Sequence, residues 1–255
     1  MTSTSADTRR EINPALEDAS FLTCDTSNLP PLSCGWIVRE YPFGDTTLKL
    51  TVPARPDTLL EDPEVLSANS RDDYMPYWAY LWPAAIYMSQ AVMQADWPAG
   101  IRVLELGCGV GLVGLAARAK RCQVMMTDYE AKSVAVAQHN ARLNGFDDVE
   151  ARELDWRAPP RMTFPVILGC DLLYEQRHHV PILDLLEVML EPGGLCWLAD
   201  GGRNVAHQFW YLARERGYAV TMRDQEGREM ATPGFHYQLF QLDRNVSRKA
   251  LAAGA

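Results

Sequence analysis

Residues 101–117 read Ile-Arg-Val-Leu-Glu-Leu-Gly-Cys-Gly-Val-Gly-Leu-Val-Gly-Leu-Ala-Ala. The first six form a short, mainly apolar run with β-branched side chains, which is typical of a buried parallel strand. The glycines that follow permit a tight turn and let a ligand approach the backbone closely. Small and apolar residues after Gly111 predict a helix that packs near the sheet. A strand, a glycine turn and a helix together predict the opening of a nucleotide-type cofactor site.

Two cofactor classes fit this loop. Residues 109–114 match Gly-x-Gly-x-x-Gly, and Asp128 follows Gly109 by 19 residues, so a nicotinamide cofactor is one interpretation. The longer pattern Glu105-x-Gly107-x-Gly109-x-Gly111 resembles motif I of class I S-adenosylmethionine (SAM) methyltransferases. In that family the loop lies beside the methionine end of the cofactor, and the acid after strand two holds the ribose hydroxyls. The longer pattern and Asp128 favour the methyltransferase over a NAD-dependent dehydrogenase.

Composition restricts the function classes. The 255 residues suit one large domain with an extension, and 33 acidic against 24 basic residues give a net charge of −9. This charge disfavours a nucleic-acid substrate. The six cysteines form no Cys-x-x-Cys pair, which argues against a metal site, and the longest uncharged stretch is too polar for a membrane span. We expect a monomer in the reducing cytoplasm, without membrane, metal or nucleic-acid partners.

The chain divides into four predicted parts. Residues 1–20 are a polar, flexible tail, and 21–74 are an extension with a β-hairpin at 36–41 and 46–52. Within it, 53–71 is predicted as a connecting segment with at most a short helix. Residues 75–243 form the SAM-dependent methyltransferase domain, and 244–255 are a C-terminal tail.

Strand and helix patterns alternate through the main domain, which predicts a parallel sheet with helices on both faces. After the first strand, the predicted strands are 123–127, 149–154, Phe164–Cys170 and Leu195–Ala199. The predicted helices are Pro83–Ala95, Glu130–Asn144, one that opens at Pro181 and ends before the turn Glu191–Gly194, and Asn204–Arg216. Runs at 218–222 and 235–242 look like the antiparallel hairpin that closes class I methyltransferases. The expected fold is α/β, a Rossmann-like doubly wound seven-stranded sheet with a C-terminal antiparallel hairpin and an N-terminal β-hairpin extension.

Polar and aromatic residues follow several predicted strands. Asp128 follows strand two, Asp155 and Trp156 follow strand three, and Asp171 and Tyr174 follow strand four. Ligands in doubly wound sheets bind beyond the carboxyl ends of the strands, so these side chains are predicted to share one site with the glycine loop. His178 and His179 are interpreted as a solvated helix start and are left out of the site.

These motifs together resemble the seven-strand protein-lysine methyltransferases of methyltransferase family 16, also called nicotinamide N-methyltransferase-like. The motifs are Trp82-Pro83, the glycine loop, Leu154-Asp155-Trp156 and Asp171-Leu172-Leu173-Tyr174, within residues 75–243. The Trp-Ala-x-x-Trp-Pro stretch looks closest to the branch that methylates the β-subunit of electron transfer flavoprotein. The resemblance implies SAM as cofactor, with S-adenosylhomocysteine (SAH) as product. It implies cofactor-binding roles for Trp82, Glu105, Gly107, Gly109, Gly111, Asp128, Asp155, Trp156 and Cys170, and catalytic roles for Asp171 and Tyr174.

A lysine acceptor also fits the chemistry of those two residues. An amine must arrive neutral, although the ordinary pKa of lysine is near 10.4. A ring such as that of Tyr174 can desolvate the amine, and a carboxylate such as that of Asp171 can accept its hydrogen bonds. We therefore predict methylation of a lysine side chain of a protein. A small amine acceptor and a non-catalytic SAM-binding protein are the alternatives.

Overall fold

The computed structural model describes residues 25–72 and 74–244. Ten strands and six α-helices lie in these ranges. The strands are β1 (Trp36–Phe43), β2 (Thr46–Pro53), β3 (Arg102–Leu106), β4 (Gln123–Asp128), β5 (Glu150–Glu153), β6 (Phe164–Cys170), β7 (Leu190–Asp200), β8 (Ala219–Arg223), β9 (Glu229–Met230) and β10 (Gln238–Asp243). The helices are α1 (Pro63–Asp72), α2 (Pro83–Gln94), α3 (Leu112–Ala119), α4 (Ala131–Leu143), α5 (Gln176–Met189) and α6 (Asn204–Glu215), with 3-10 turns at Pro56–Glu61 and Tyr77–Ala79.

The central sheet has the strand order β5-β4-β3-β6-β7-β10-β8-β9. The first five strands in this order are parallel, and β10 runs antiparallel to both β7 and β8. This confirms the α/β doubly wound prediction and its antiparallel C-terminal hairpin. The two-residue strand β9 adds an eighth strand at the edge to the seven expected. The order reverses between β3 and β6, so the ligand crevice is expected at the carboxyl ends of these two strands.

Alternate residues of each central strand point to opposite faces of the sheet and enter two hydrophobic clusters. Val103 and Leu168 belong to the cluster that contains α2, α3 and α4. Leu104 and Ile167 belong to the cluster that contains α5 and α6. Helices therefore cover both faces, as the near-continuous apolar strands required.

The predicted hairpin is confirmed, and β1 and β2 form a separate two-stranded sheet. Side chains of α4 bind its backbone. Asn140 accepts a hydrogen bond from the N–H of Thr51 at 2.7 Å and donates to the carbonyl of the same residue at 3.0 Å. Asn144 bonds to both backbone groups of Lys49 in the same way, at 2.8 and 2.7 Å. The two side-chain amides make the backbone hydrogen bonds that a neighbouring strand would otherwise make. Apolar residues of the hairpin also enter the same hydrophobic cluster as α4.

The predicted start of helix α5 at Pro181 is wrong. The helix begins at Gln176, and Pro181 lies inside it. The proline removes one N–H from the helix, so only the carbonyl of Arg177, four residues earlier, lacks its usual partner. The buried stripe that follows, including Ile182 and Leu186, packs against the sheet and stabilises the helix in spite of this loss.

Two further boundaries differ from the prediction. The segment 190–194 belongs to strand β7, because the register between β6 and β7 shifts there and accommodates the extra residues in a bulge. The connecting segment contains the ten-residue helix α1. Its start follows from Asp62, whose carboxylate accepts a hydrogen bond from the N–H of Glu64, with Pro63 as the first helical residue.

The predicted tails, 1–20 and 244–255, lie outside the described residues except for Arg244. Among residues 25–72 and 74–244, every helix is too short or too polar to cross a bilayer.

Candidate active site

A cavity of about 840 Å³ opens at the carboxyl ends of β3, β4 and β6. This volume lies within the range of small-molecule and cofactor sites. The structure brings most of the predicted site residues into its wall. They are Trp82, Glu105, Gly107, Gly109, Asp128, Asp155, Trp156, Cys170, Asp171 and Tyr174.

The glycine loop forms the floor of the cavity and needs its glycines. Gly107, Gly109 and Gly111 have φ angles of +59°, +53° and +90°, a region that residues with a Cβ rarely adopt. A Cβ at Gly107 would lie 2.4 Å from Cδ2 of Leu172. Gly111 faces helix α4 and precedes α3, so it shapes the loop from behind and is absent from the cavity wall.

Glu105 lies beneath the loop and is 2% exposed. Its Oε2 accepts a hydrogen bond from the N–H of Gly114 at 2.9 Å, which ties β3 to α3. Burial raises the pKa of Glu105 to about 8, although the Gly114 hydrogen bond opposes the rise. The carboxyl group is therefore largely neutral at pH 7 in the free protein.

Asp128 uses both carboxylate oxygens to hold the neighbouring backbone. Its Oδ2 accepts a hydrogen bond from the N–H of Gly109 at 2.9 Å, and its Oδ1 accepts one from the N–H of Glu130 at 3.0 Å. Burial raises the pKa of Asp128 above its ordinary value, and these hydrogen bonds only partly offset the rise. The side chain thus fixes the glycine loop against the end of β4.

The sequence-based prediction missed Glu130, which lies two residues after Asp128 and also lines the cavity. Its carboxylate is half-buried, and the hydroxyl of Tyr74 lies close enough to lower its pKa. Burial is the main reason why the pKa of Glu130 is raised, and the charge of Asp128 contributes. The spacing Asp-x-Glu after a buried strand was the available signal, but Glu130 was interpreted as a helix start.

A row of rings, which we call the aromatic rim, surrounds part of the cavity mouth. It consists of Trp82, Tyr77, Tyr174, His178 and Trp156. Neighbouring ring centroids in this order are 6.0, 5.2, 5.0 and 5.2 Å apart. The aromatic stretch before α2 therefore contributes to the site, as predicted, through Tyr77 and Trp82.

Both histidines lie at the start of a helix, as interpreted, but the expectation that they are solvated is wrong. His178 is half-buried in the aromatic rim. His179 is fully buried, contacts the carbonyl of Leu173 at 3.2 Å and packs against Phe209. Because α5 starts at Gln176, both residues belong to its first turn, and their side chains face the protein.

Asp171 has a φ angle of +56° and follows strand β6 directly. Its Oδ1 accepts hydrogen bonds from the guanidinium of Arg203 and from the N–H of Gly201, the latter at 3.3 Å. Burial raises the pKa of Asp171, and the charge of Arg203 lowers it by a smaller amount. Arg203 gave no signal in the sequence, because it lies 32 residues from its partner.

Asp155, which was also predicted to bind the cofactor, forms a local ion pair with Arg157. Both of its oxygens accept hydrogen bonds from the guanidinium of Arg157, at 2.8 to 3.0 Å, and this interaction holds the pKa of Asp155 below its usual value. The residue lines the cavity, but its charge is already compensated.

Comparison with solved structures agrees with the fold. A TehB-like SAM-dependent methyltransferase from Corynebacterium glutamicum superimposes with a TM-score of 0.51 at 16% identity, covering 74% of this chain and 98% of that one. The architecture is therefore that of the SAM-dependent methyltransferases.

A family model described as lysine methyltransferase matches residues 76–211, more than half of the chain. The protein belongs to this family, methyltransferase family 16. This confirms the predicted family and overturns the dehydrogenase alternative.

Two curated relatives match shorter regions. Histidine protein methyltransferase 1 homolog of Dictyostelium discoideum is 32% identical over 108 residues, which are 40% of this chain and 35% of the relative. Protein-lysine N-methyltransferase EFM2 of Saccharomyces cerevisiae is 32% identical over 115 residues, 38% of this chain and 27% of the relative. The chain thus spans about a third of the length of the first relative and about a quarter of the length of the second.

Proposed function

We propose that this protein binds SAM in the cavity described above and methylates a lysine side chain of a protein substrate. The observation that carries the proposal is the convergence of the glycine loop, Glu130, Trp156, Asp171 and Tyr174 on one cavity. Family membership supports the reaction class, and the names of the curated relatives support a protein acceptor.

The residues present fit SAM. The glycines with positive φ angles have no Cβ, so the cofactor can approach the protein backbone closely. The rings of Trp82 and Trp156 offer apolar surface at two points of the cavity wall. Asp128 and Glu130 both line the cavity and would hold the ribose hydroxyls, since each oxygen of Asp128 keeps acceptor capacity beside its backbone hydrogen bond. Asp128 would also fix the shape of the loop. Buried acids beside the cavity suit a cationic sulfonium.

SAM supplies an activated methyl group, so the protein needs to orient and desolvate the acceptor amine. Tyr174 and Tyr77 would contact the alkyl stem of a lysine, since their rings lie 5.2 Å apart at the cavity mouth. Oδ2 of Asp171, whose partner is the weak thiol donor of Cys170, would accept a hydrogen bond from the amine and direct its lone pair. The acidic net charge favours the approach of a basic protein surface.

Calorimetric titration with SAM and with NAD tests the cofactor assignment. Glu130→Gln should lose about 1.5–3 kcal/mol of SAM binding, the range for a hydrogen bond to a charged group. Glu150→Gln is a matched control, because it makes the same change at an exposed ion pair on β5. Binding of NAD without binding of SAM contradicts the proposal.

Incubation of the protein with methyl-labelled SAM and a cell lysate tests the acceptor. Mass spectrometry should locate the label on lysine. Asp171→Asn should slow single-turnover transfer by about 10²-fold and change SAM affinity by less than about 1 kcal/mol, the worth of one ordinary hydrogen bond. Label on arginine, on RNA or only on small amines would reject a lysine acceptor.

The domain boundaries, the monomeric state, the cytoplasmic location and the resemblance to the electron transfer flavoprotein branch stay predictions. Size-exclusion chromatography of the full chain tests the monomer.

A further inference from the structure

One guanidinium group connects three parts of the molecule at the edge of the active site. Nη1 of Arg203 donates to Oδ1 of Asp171 and to Oδ2 of Asp200, the second at 2.9 Å. The same guanidinium lies 5.3 Å from the ring centroid of Trp82. Arg203 therefore contacts the acid after β6, the acid that ends β7 and the tryptophan that precedes α2.

The backbone around Arg203 is held independently of its side chain. Oδ1 of Asp200 accepts hydrogen bonds from the N–H groups of Gly202 and Arg203, at 2.8 and 2.7 Å. Asp200 is fully buried, whereas the side chain of Arg203 retains 30% exposure. The loop conformation thus has its own support, and the guanidinium can be altered without removing these backbone contacts.

The two carboxylate oxygens of Asp171 have different partners. Oδ1 accepts from Arg203 and from the N–H of Gly201. Oδ2 lies 3.7 Å from the thiol of Cys170, a weak donor. Asp171 lines the cavity, and Arg203 does not belong to its wall. The arginine therefore contacts the acid from outside the space that a ligand would fill.

We propose that Arg203 is a positioning residue for methyl transfer: it occupies Oδ1 of Asp171 and leaves Oδ2 for the acceptor amine. This inference rests on the proposed function. It assigns a role to a residue that itself touches neither cofactor nor acceptor.

The charges around Asp171 explain why a fixed cation is needed. The carboxyl group is buried, and the neighbouring ionisable groups are Asp200, Cys170, Tyr237 and Arg203. Burial and the charge of Asp200 raise the pKa of Asp171, and Arg203 supplies the positive charge that lowers it. Without the guanidinium the pKa of Asp171 would lie higher still, and a protonated carboxyl group would donate a hydrogen bond from one oxygen where the ionised group only accepts.

Carboxyl ¹³C NMR of the protein with labelled aspartate measures this effect directly, with Asp171→Asn identifying the resonance. In Arg203→Met the titration midpoint of Asp171 should move to higher pH, because the positive charge that lowers it is gone. Arg203→Lys should restore part of the shift, because it keeps the charge and loses the planar geometry. Arg216→Met is the matched control, since Arg216 forms exposed ion pairs with Asp184 and Glu187 at the other end of α6.

The rate of methyl transfer provides a second measurement, which tests whether the change in the Asp171 midpoint affects the reaction. Single-turnover labelling of the lysate acceptor by Arg203→Met should be slower than that by the wild type at neutral pH, and the ratio of the two rates should approach one as the pH rises above the new midpoint. A purely structural role would lower the rate at every pH.

An unchanged Asp171 midpoint in Arg203→Met, or a raised midpoint with an unchanged pH–rate profile, overturns the proposal. If Arg203→Met does not fold, the same two outcomes in Arg203→Lys decide the question. The NMR titration needs neither SAM nor acceptor, so failure of the proposed methylation and failure of the Arg203–Asp171 coupling are distinguished.

Discussion

Proton release on cofactor binding offers a sensitive test of the site electrostatics. Glu105 is buried beside the glycine loop with a pKa of about 8. At pH 7 roughly 0.9 of the carboxyl groups are then protonated. A sulfonium within about 4–6 Å would lower the pKa by about 1–3 pH units. A fall to about 6 would release about 0.8 proton per SAM bound at pH 7.

SAH is the informative comparison because its sulfur is uncharged. Calorimetric titrations of SAM and SAH at pH 7 in buffers with different ionisation enthalpies measure the proton count. We expect release with SAM and little release with SAH. Glu105→Gln should abolish the difference, because the amide keeps an acceptor for Gly114 and has no proton to lose.

The variant Glu105→Gln also tests how the stability of the protein without bound cofactor depends on pH. The native state holds the proton of Glu105 more tightly than the unfolded chain, whose value is about 4.5. The free energy of unfolding should therefore fall as the pH rises from about 4.5 through about 8, and Glu105→Gln should remove this part of the decline. Glu150→Gln again serves as the exposed control. Equal proton release with both ligands, or undiminished release in Glu105→Gln, would refute the reasoning.

Three further changes test other contacts. Gly114→Ala places a Cβ 2.4 Å from Oε2 of Glu105, and urea unfolding should show a loss of about 1–3 kcal/mol from overpacking; an unchanged midpoint would argue against the tight contact. Asn140→Ala removes the buried hydrogen bonds to Thr51 and Val110 and should cost about 2–4 kcal/mol in the same assay, and a loss below about 0.5 kcal/mol would mean that these bonds contribute little to holding the hairpin. Trp156→Ala should weaken SAM binding by about 1–3 kcal/mol, the worth of a stacked base, while the fold persists at 25 °C; unfolding at that temperature would place Trp156 in the core.

Local sequence patterns predicted the elements that depend on near neighbours. Strand β6 was predicted as Phe164–Cys170, the residues that form it, because it is an apolar run between polar turns. The glycine loop was predictable because positive φ angles require residues without a Cβ. Pro181 misled the prediction of α5, because packing of the helix against the sheet outweighed one lost hydrogen bond.

The sequence by itself determined the alternation of strands and helices, and with it the edge of the sheet at which the site residues meet. Only the tertiary structure decided how each carboxylate is used. All three acids line the cavity, but Asp128 binds the N–H of Gly109 from 19 residues away, Asp171 pairs with Arg203 from 32 residues away, and Glu130 lies close to Tyr74. Backbone preferences act between adjacent residues, whereas hydrogen-bond partners and burial depend on segments that meet only after the chain has folded.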